Sequence, residues 1–364
     1  MGGFSTRSTK HSFVGAVKAA RNVDLRGLTS RGGASTFRGW RCSFSKKLSE
    51  EASDCGSICG GEDVHSCLLG DYEIHTAWEG FASIRHIRSG EIMHSRTPPM
   101  EEARQLYTGP ARLSERLCES GGEPLVVWDV GLGGGANAMA AIACHETQDP
   151  PLRDLHIISF ENDLDPLRLA FRRKDLFPYL DHGGPEAILR DGSWQSGGLR
   201  WTLLKGDFFA NLEQVAWPPD FIFYDMFSAK TTGEAWTQRT FQRLHALSRG
   251  RRVGLFTYTC STASRVAMLS AGFWVAQGCS IGEKTETTIA LTPEAVRAHH
   301  ALLGEAWVSK WRRSTARYPA DLLPAEYPGC EAAVLSHPQF RENLSAPGKD
   351  HPDDASHGNH RAGD

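Results

Sequence analysis

Between Val126 and Asn137 the chain reads Val-Val-Trp-Asp-Val-Gly-Leu-Gly-Gly-Gly-Ala-Asn. A short apolar run ends at Asp129, glycines stand at 131, 133, 134 and 135, and Asn137 opens an apolar, helix-like segment. The apolar run predicts a parallel strand buried on both faces. The glycines let the backbone turn sharply and let a ligand approach where a Cβ would block it. The helix start that follows offers free backbone N–H groups. Strand, glycine loop and helix in this order make a nucleotide-type site at the carboxyl edge of a parallel sheet.

The spacing separates candidate ligands. Dinucleotide sites use G-x-G-x-x-G and aim a helix start at a pyrophosphate. Here the pattern is Asp129-x-Gly131-x-Gly133-x-Gly135, with an acid inside the strand end. It resembles the first motif of class I S-adenosylmethionine (SAM) methyltransferases. SAM has no phosphate; its methionine end carries an ammonium and a carboxylate. The resemblance implies that Asp129 orients the ammonium, directly or through water, while the loop of Gly131, Gly133, Gly135 and Asn137 meets the carboxylate. The motif alone leaves a nicotinamide cofactor and a purely structural loop open.

The segments that follow alternate strand and helix. Strands are expected at 124–130, 155–161, 199–204, 220–225 and 252–259, with helices at 136–144, from Pro166 to Lys174, at 236–248 and at 261–270. Ser261 or Thr262 is the expected N-cap of the last of these. Segments 272–277 and 285–291, joined by a short link, predict an antiparallel hairpin at one sheet edge. The expected fold is therefore α/β, a Rossmann-like seven-stranded sheet. That ending is similar to class I methyltransferases and unlike NAD-binding domains. Thr292 and Pro293 predict a further helix through His300 and on to Arg313. In it Trp307, Lys310, Trp311, Arg312, Arg313 and the nearby Arg317 read either as a nucleic-acid grip or as tryptophans packed on the sheet with solvated basic residues. Ahead of the sheet, strands near 72–78 and 81–90 and a helix from Pro98 to Leu117 form a small β/α appendage, placed to cover the site mouth. The expected layout is residues 66–120 for the appendage, 121–292 for the methyltransferase domain, 293–343 for a helical segment and 344–364 for a disordered tail.

Residues 1–65 differ in kind. Up to Lys47 they hold a single acid, Asp24, among many Arg, Lys, Ser and Gly. Too little is apolar to build a core, so disorder is expected. The composition also resembles an organellar transit peptide; the plainer reading is a start codon placed too far upstream or a dispensable tail. Net charge over the 364 residues is −3, so the chain as a whole carries no nucleic-acid signature. No apolar run approaches the ~20 residues that span a bilayer. The nine cysteines are scattered, and a reducing, cytoplasmic setting is the default. Cys55, Cys59 and Cys67 with His65 match no standard zinc spacing, so no metal is expected.

Three acids fall at successive strand ends, where this fold places its ligands. Glu161 is placed to accept both ribose hydroxyls, or is a solvated loop acid. Asp207 is placed to accept from an adenine amino group. Asp225, after the apolar Phe-Ile-Phe-Tyr, is placed beside the transferred methyl, or caps a helix.

The segment from Asp225 to Trp236 resembles the D-x-F-[SA]-P…W stretch of MnmC-type enzymes, which form 5-methylaminomethyl-2-thiouridine at the tRNA wobble base. The glycine loop through Asn137, Glu161, the Ala271-Gly-Phe273 step and Glu91-Ile-Met-His-Ser95 also look like this family, over residues 71–315. Two positions depart from it: Ala229 stands for the family's proline and Gly134 for its usual threonine. No second glycine fingerprint supplies the flavin oxidase of the fused members. The resemblance implies a SAM-dependent N-methyltransferase acting on tRNA 5-aminomethyl-(2-thio)uridine supplied by upstream enzymes. It implies Asp225 as the catalytic carboxylate that binds the amine. His94, Phe227, Lys230 and Trp236 are candidates for the substrate pocket. The alternatives for these four are a structural histidine, aromatic core packing and a surface lysine. A methyltransferase with another substrate, a spermidine-synthase-like aminopropyltransferase and a silent RNA-binding protein are the rival functions.

Overall fold

The computed structural model describes residues 67–149, 151–212, 215–280 and 286–342. The expected N-terminal extension, the rest of the cysteine cluster (Cys55, Cys59, His65) and the expected tail lie outside these residues.

A three-stranded antiparallel meander comes first: β1 (Leu68–Leu69), β2 (Tyr72–Thr76) and β3 (Ala82–His86). The main sheet then follows as β4 (Leu125–Val130), β5 (Leu155–Glu161), β6 (Ser193–Ser196), β7 (Leu199–Lys205), β8 (Phe221–Tyr224), β9 (Gly254–Thr257), β10 (Trp274–Gln277), β11 (Thr288–Leu291) and β12 (Ala301–Leu302). Its order is β12-β10-β11-β9-β8-β4-β5-β7-β6. Strands β7, β5, β4, β8 and β9 run parallel, and β11 and β10 close that edge antiparallel. This centre is the expected class I arrangement, and the chain is an α/β protein of that kind. All six residues of β4 are buried, as a central strand covered by helices on both faces requires.

The sheet has nine strands rather than seven. β6 reads Ser-Trp-Gln-Ser and hairpins onto β7; with one exposed face and no apolar run, it gives no strand signal. β12 is two residues on the outer side of β10. Its presence overturns the expected helix from Thr292. Pro293–Ala295 is a single 3-10 turn, and the helix is confined to Glu305–Arg313. The Thr292 hydroxyl does not cap it; it donates to the Arg251 carbonyl at 2.6 Å. Gln339 holds this edge together: its side chain accepts from Val275 N–H at 2.7 Å and donates to the Val275 and Leu303 carbonyls, both at 2.8 Å. In the helix, Trp307 and Trp311 are buried, and Trp307 stacks on Phe340. The packing reading holds for both, and neither indole is presented to a base.

The expected helix from Pro98 to Leu117 is also broken. Pro99–Ala103 leads into a wider π turn, Arg104–Thr108, and a second helix starts at Leu113. Pro110 cannot donate to a helical ladder, and Arg112 takes a left-handed conformation with φ 52° at the junction. The break brings Tyr107 and Glu102 over the carboxyl edge of the sheet, among the groups that face Asp225.

Replacing Gln339 by Ala strands two buried backbone groups, Val275 N–H and the Leu303 carbonyl, while the Val275 carbonyl keeps Leu303 N–H at 2.9 Å. The expected loss is about 2–3 kcal/mol, read as a lower denaturant midpoint with an unchanged m value.

Candidate active site

The site is built where β4 and β8 end side by side. Gly131 follows β4 with φ 90°. A Cβ on it would sit 2.5 Å from the carbonyl oxygen of Asp225, well inside contact distance. Only glycine lets the two strand ends approach this closely. At Gly133, also left-handed, a Cβ would meet Met93 Sδ at 3.3 Å. The loop is thus pressed between the next strand and the segment after β3.

These elements enclose a cavity of about 510 Å³ at the carboxyl edge of the parallel strands, a size suited to a small-molecule ligand. Its walls carry six acids: Glu91, Glu102, Glu161, Asp207, Asp225 and Glu234. Among the described residues no lysine or arginine lines it; the other titratable nitrogens are on His86 and His94. Such a cavity favours cationic ligands and opposes a pyrophosphate, which removes the nicotinamide alternative.

Asp225 lies at the centre of a polar network. Asn137 Nδ2 donates to its Oδ2 at 2.9 Å. The carboxyl is pushed above the usual range by burial, and His94, Tyr107 and Asn137 oppose that rise. His94 Nδ1 in turn lies 3.3 Å from Glu102 Oε2, with both side chains largely buried. Asn137, expected at the cofactor, thus serves to orient Asp225, while its Oδ1 is buried without a partner.

Glu161 lines the cavity but is already engaged. Its Oε2 accepts from Gly133 N–H at 3.0 Å, and its Oε1 from Asn162 and Asp163 N–H at 2.9 and 3.0 Å. A carboxylate offers about four acceptor positions, so about one is left for a ligand hydroxyl. Burial raises its pKa, and the three backbone donors act against that rise. Asp207 accepts from Ala210 N–H at 2.8 Å and caps the short helix Phe208–Asn211 while facing the cavity.

Asp129 and Gly135 lie behind the loop rather than on the cavity wall. Asp129 is fully buried. Ser159 donates to its Oδ2 at 2.7 Å, and Trp201 Nε1 donates to Ser159 at 2.8 Å. Its Oδ1 has no partner. Burial pushes the carboxyl up to about 7, and the negative Asp225 and Glu161 add to the rise.

Of the four substrate candidates, His94 and Phe227 line the cavity and Trp236 and Lys230 do not. Trp236 is buried edge-on against Tyr224 and donates to the Phe227 carbonyl at 2.8 Å; its role is to fix Phe227. Lys230 is exposed on the turn after β8. Glu91 escaped the residue-by-residue reading. It accepts from Ser228 N–H, Ser228 Oγ and Thr231 Oγ1 at 2.9, 3.2 and 2.7 Å. With Trp236, and with Thr232 Oγ1 donating to Phe227 at 2.7 Å, it fixes the loop that lacks the family's proline. Its signal in sequence was its place in a family-like motif, with no hint of its partner.

The cavity suits SAM. The loop residues Gly131, Leu132, Gly133 and Gly134 line it, the buried Asn137 Oδ1 on its wall lacks a partner, and its acidic side chains suit a cationic ligand. Residues 187–293 match the family model of S-adenosyl-L-methionine-dependent methyltransferases. The crystal structure of MnmC2 from Aquifex aeolicus is similar, with a TM-score of 0.54 and 25% identity, covering 72% of this chain and 84% of that one. The chain holds an MnmC2-like methyltransferase domain. The tRNA 5-methylaminomethyl-2-thiouridine biosynthesis bifunctional protein MnmC of Ectopseudomonas mendocina is 27% identical over 260 residues, 67% of this chain and 38% of that protein. That of Cupriavidus metallidurans is 27% identical over 285 residues, 69% and 42% respectively. The chain therefore spans about two fifths of the length of these relatives. Among the described residues no helix is long and apolar enough to cross a membrane, and no cluster of three or more His, Cys, Asp or Glu is placed to hold a metal.

Gly131→Ala adds the clash with Asp225 and a left-handed alanine, which costs ~1–2 kcal/mol by itself. SAM affinity measured by calorimetry should fall at least tenfold; an unchanged affinity would show that the strand ends can separate freely. For Asp129, the folded protein holds the proton more tightly than the unfolded chain, whose carboxyl titrates near 3.8. The resulting stability is present below that pH and is lost as pH rises through about 7. Asp129→Asn should flatten this dependence in thermal unfolding at pH 4–8, raise ligand-free stability at neutral pH, and weaken SAM binding.

Proposed function

We propose that the chain transfers a methyl group from SAM to the primary amine of 5-aminomethyl-(2-thio)uridine at wobble position 34 of tRNA, giving the 5-methylaminomethyl product. The observation that carries this reading is the lining of six acids in the cavity beside the glycine loop. Both the donor and an aliphatic ammonium are cations, and six acids attract both. The names of the relatives point to the same nucleoside and support the tRNA assignment.

Bound at the loop, SAM supplies an activated methyl group. The loop backbone at Leu132 and Gly134 lines the cavity for its amino-acid end, with Asp129 acting from behind the loop, and Glu161 is the group for its ribose and Asp207 for its adenine. The chain's remaining task is to present the amine in line and remove one proton, because an ammonium has no lone pair. Asp225, held by Asn137, is placed to bind that ammonium by a charge-assisted hydrogen bond. Burial raises its proton affinity, which brings it closer to that of a working base. Phe227, fixed by Trp236 and Thr232, forms the wall against which a flipped base would pack. Lys230 on the adjoining turn is exposed for a phosphate outside the cavity. Upstream enzymes that install the aminomethyl group would supply the substrate.

The deciding experiment is methyl transfer from labelled SAM to tRNA from cells lacking this protein, with nucleoside mass spectrometry. The expected result is one methyl gained on 5-aminomethyl-(2-thio)uridine; SAM binding with no tRNA product would sink the substrate assignment. Asp225→Ala should retain SAM binding and lose methyl transfer by at least 100-fold. Full transfer by that variant would remove Asp225 from the chemistry.

A further inference from the structure

A second recess lies at the opposite edge of the sheet, outside the amino ends of β8 and β9. Phe221 and Gly254 form its floor, the helix Leu113–Leu117 one wall, and the turn from Ala295 to His300 the other. Its volume is about 130 Å³. That is roughly four times the ~30 Å³ share of a water molecule in the liquid. It has room for a tetrahedral oxyanion with some water.

Its charge is the reverse of the active cavity's. Arg112, Arg116, Arg252 and Arg297 face it, against two carboxylates, Glu115 and Glu119. Arg116 is 7% exposed and lies over the Phe221 ring at 5.0 Å. Glu119 has to serve two guanidiniums, Arg116 at 2.9 Å and Arg252 at 3.5 Å. Arg112 shares Glu115 at 3.4 Å. Among the described residues Arg297 donates to carbonyl oxygens, those of Glu294 and Val296, both at 2.7 Å, and has no carboxylate partner. His300 Nδ1 accepts from Arg297 N–H at 3.0 Å, so the neutral ring carries its proton on Nε2, as a donor. The excess of positive charge acts on the groups themselves. Burial and the neighbouring His299, Arg297 and Arg252 push His300 down to about 4. Arg116 is lowered by burial and by Arg252.

Four guanidiniums from three separate segments meet three carboxylates, Glu115, Glu119 and Asp220, the last 3.7 Å from Arg116, so among the described residues one positive charge at the recess has no carboxylate of its own. Arginine forks match tetrahedral oxyanions in shape and charge. We propose that this recess is a phosphate-binding site, separate from the methyl-transfer cavity. The phosphate belongs either to a nucleic-acid backbone or to a small phosphorylated molecule.

The test uses the full chain in phosphate-free buffer and two probes, inorganic phosphate and a short RNA hairpin, titrated by calorimetry at constant ionic strength. The variant is Arg252→Gln with Arg297→Gln, two side chains that reach solvent and lie far from the active cavity. Wild type should bind phosphate saturably, and the double variant should bind it at least tenfold more weakly with unchanged SAM affinity. Hairpin binding that falls in the variant and is displaced by phosphate assigns the site to a nucleic-acid backbone. Phosphate binding with no effect on the hairpin assigns it to a small molecule. The proposal is overturned if wild type shows no saturable phosphate binding at millimolar concentration, or if the double variant binds phosphate as wild type does. Neither readout involves methyl transfer, so the outcome is independent of the proposed activity.

Discussion

The site depends on one contact, the approach of the Gly131 backbone to the carbonyl of Asp225. Strands β4 and β8 are parallel neighbours, with Val130 opposite Tyr224. Their next residues, Gly131 and Asp225, therefore leave the sheet together. Because Gly131 has no side chain, the loop can turn over the end of β8 rather than away from it. That turn places the Gly133 N–H on Glu161 and starts the next helix with Asn137 facing Asp225. Three of the proposed ligand-facing acids owe their placement to neighbouring strand ends, since β5 and β7 end in step with β4.

Gathering acids in this way is unfavourable in the absence of ligand. Asp129, Glu161 and Asp225 all have raised pKa values, with burial the first cause in each. Neighbouring polar groups compensate in part: Ser159 and Trp201 behind Asp129, backbone N–H groups at Glu161, and Asn137 with His94 and Tyr107 around Asp225. What they leave uncompensated is the attraction available to a cation. The same trade appears with opposite sign at the far edge, where arginines crowd a smaller recess. Two edges of one sheet thus carry opposite charge, which the overall charge of −3 conceals.

Much of this was legible beforehand. Apolar runs bounded by glycine and proline gave the five parallel strands and the closing hairpin, and the acids Glu161, Asp207 and Asp225 were picked out by standing at strand ends. Local pattern does not contain the tertiary partners that decide the remaining elements. Thr292 and Pro293 look like a helix start, yet the following residues pair with β10 and leave only a turn. Trp307 and Trp311 among basic residues admit both a base-stacking surface and packing on the sheet, and the burial of both with Phe340 stacked on Trp307 decides for packing. Lys230 and Trp236 share a motif with Phe227, but the turn sends one to solvent and the other into the core.

The sequence by itself determined the five parallel strands with their closing hairpin, the glycine loop and the strand-end acids Glu161, Asp207 and Asp225. These follow from backbone sterics, apolar periodicity and the strand-end rule, all of which act within a few residues. Only the tertiary structure decided that Asn137 serves Asp225, that Glu91 clamps the loop lacking a proline, and that six acids share one cavity while four arginines share another. Those are contacts between segments as much as 140 residues apart. Their energies depend on burial and distance, which no local stretch of sequence contains.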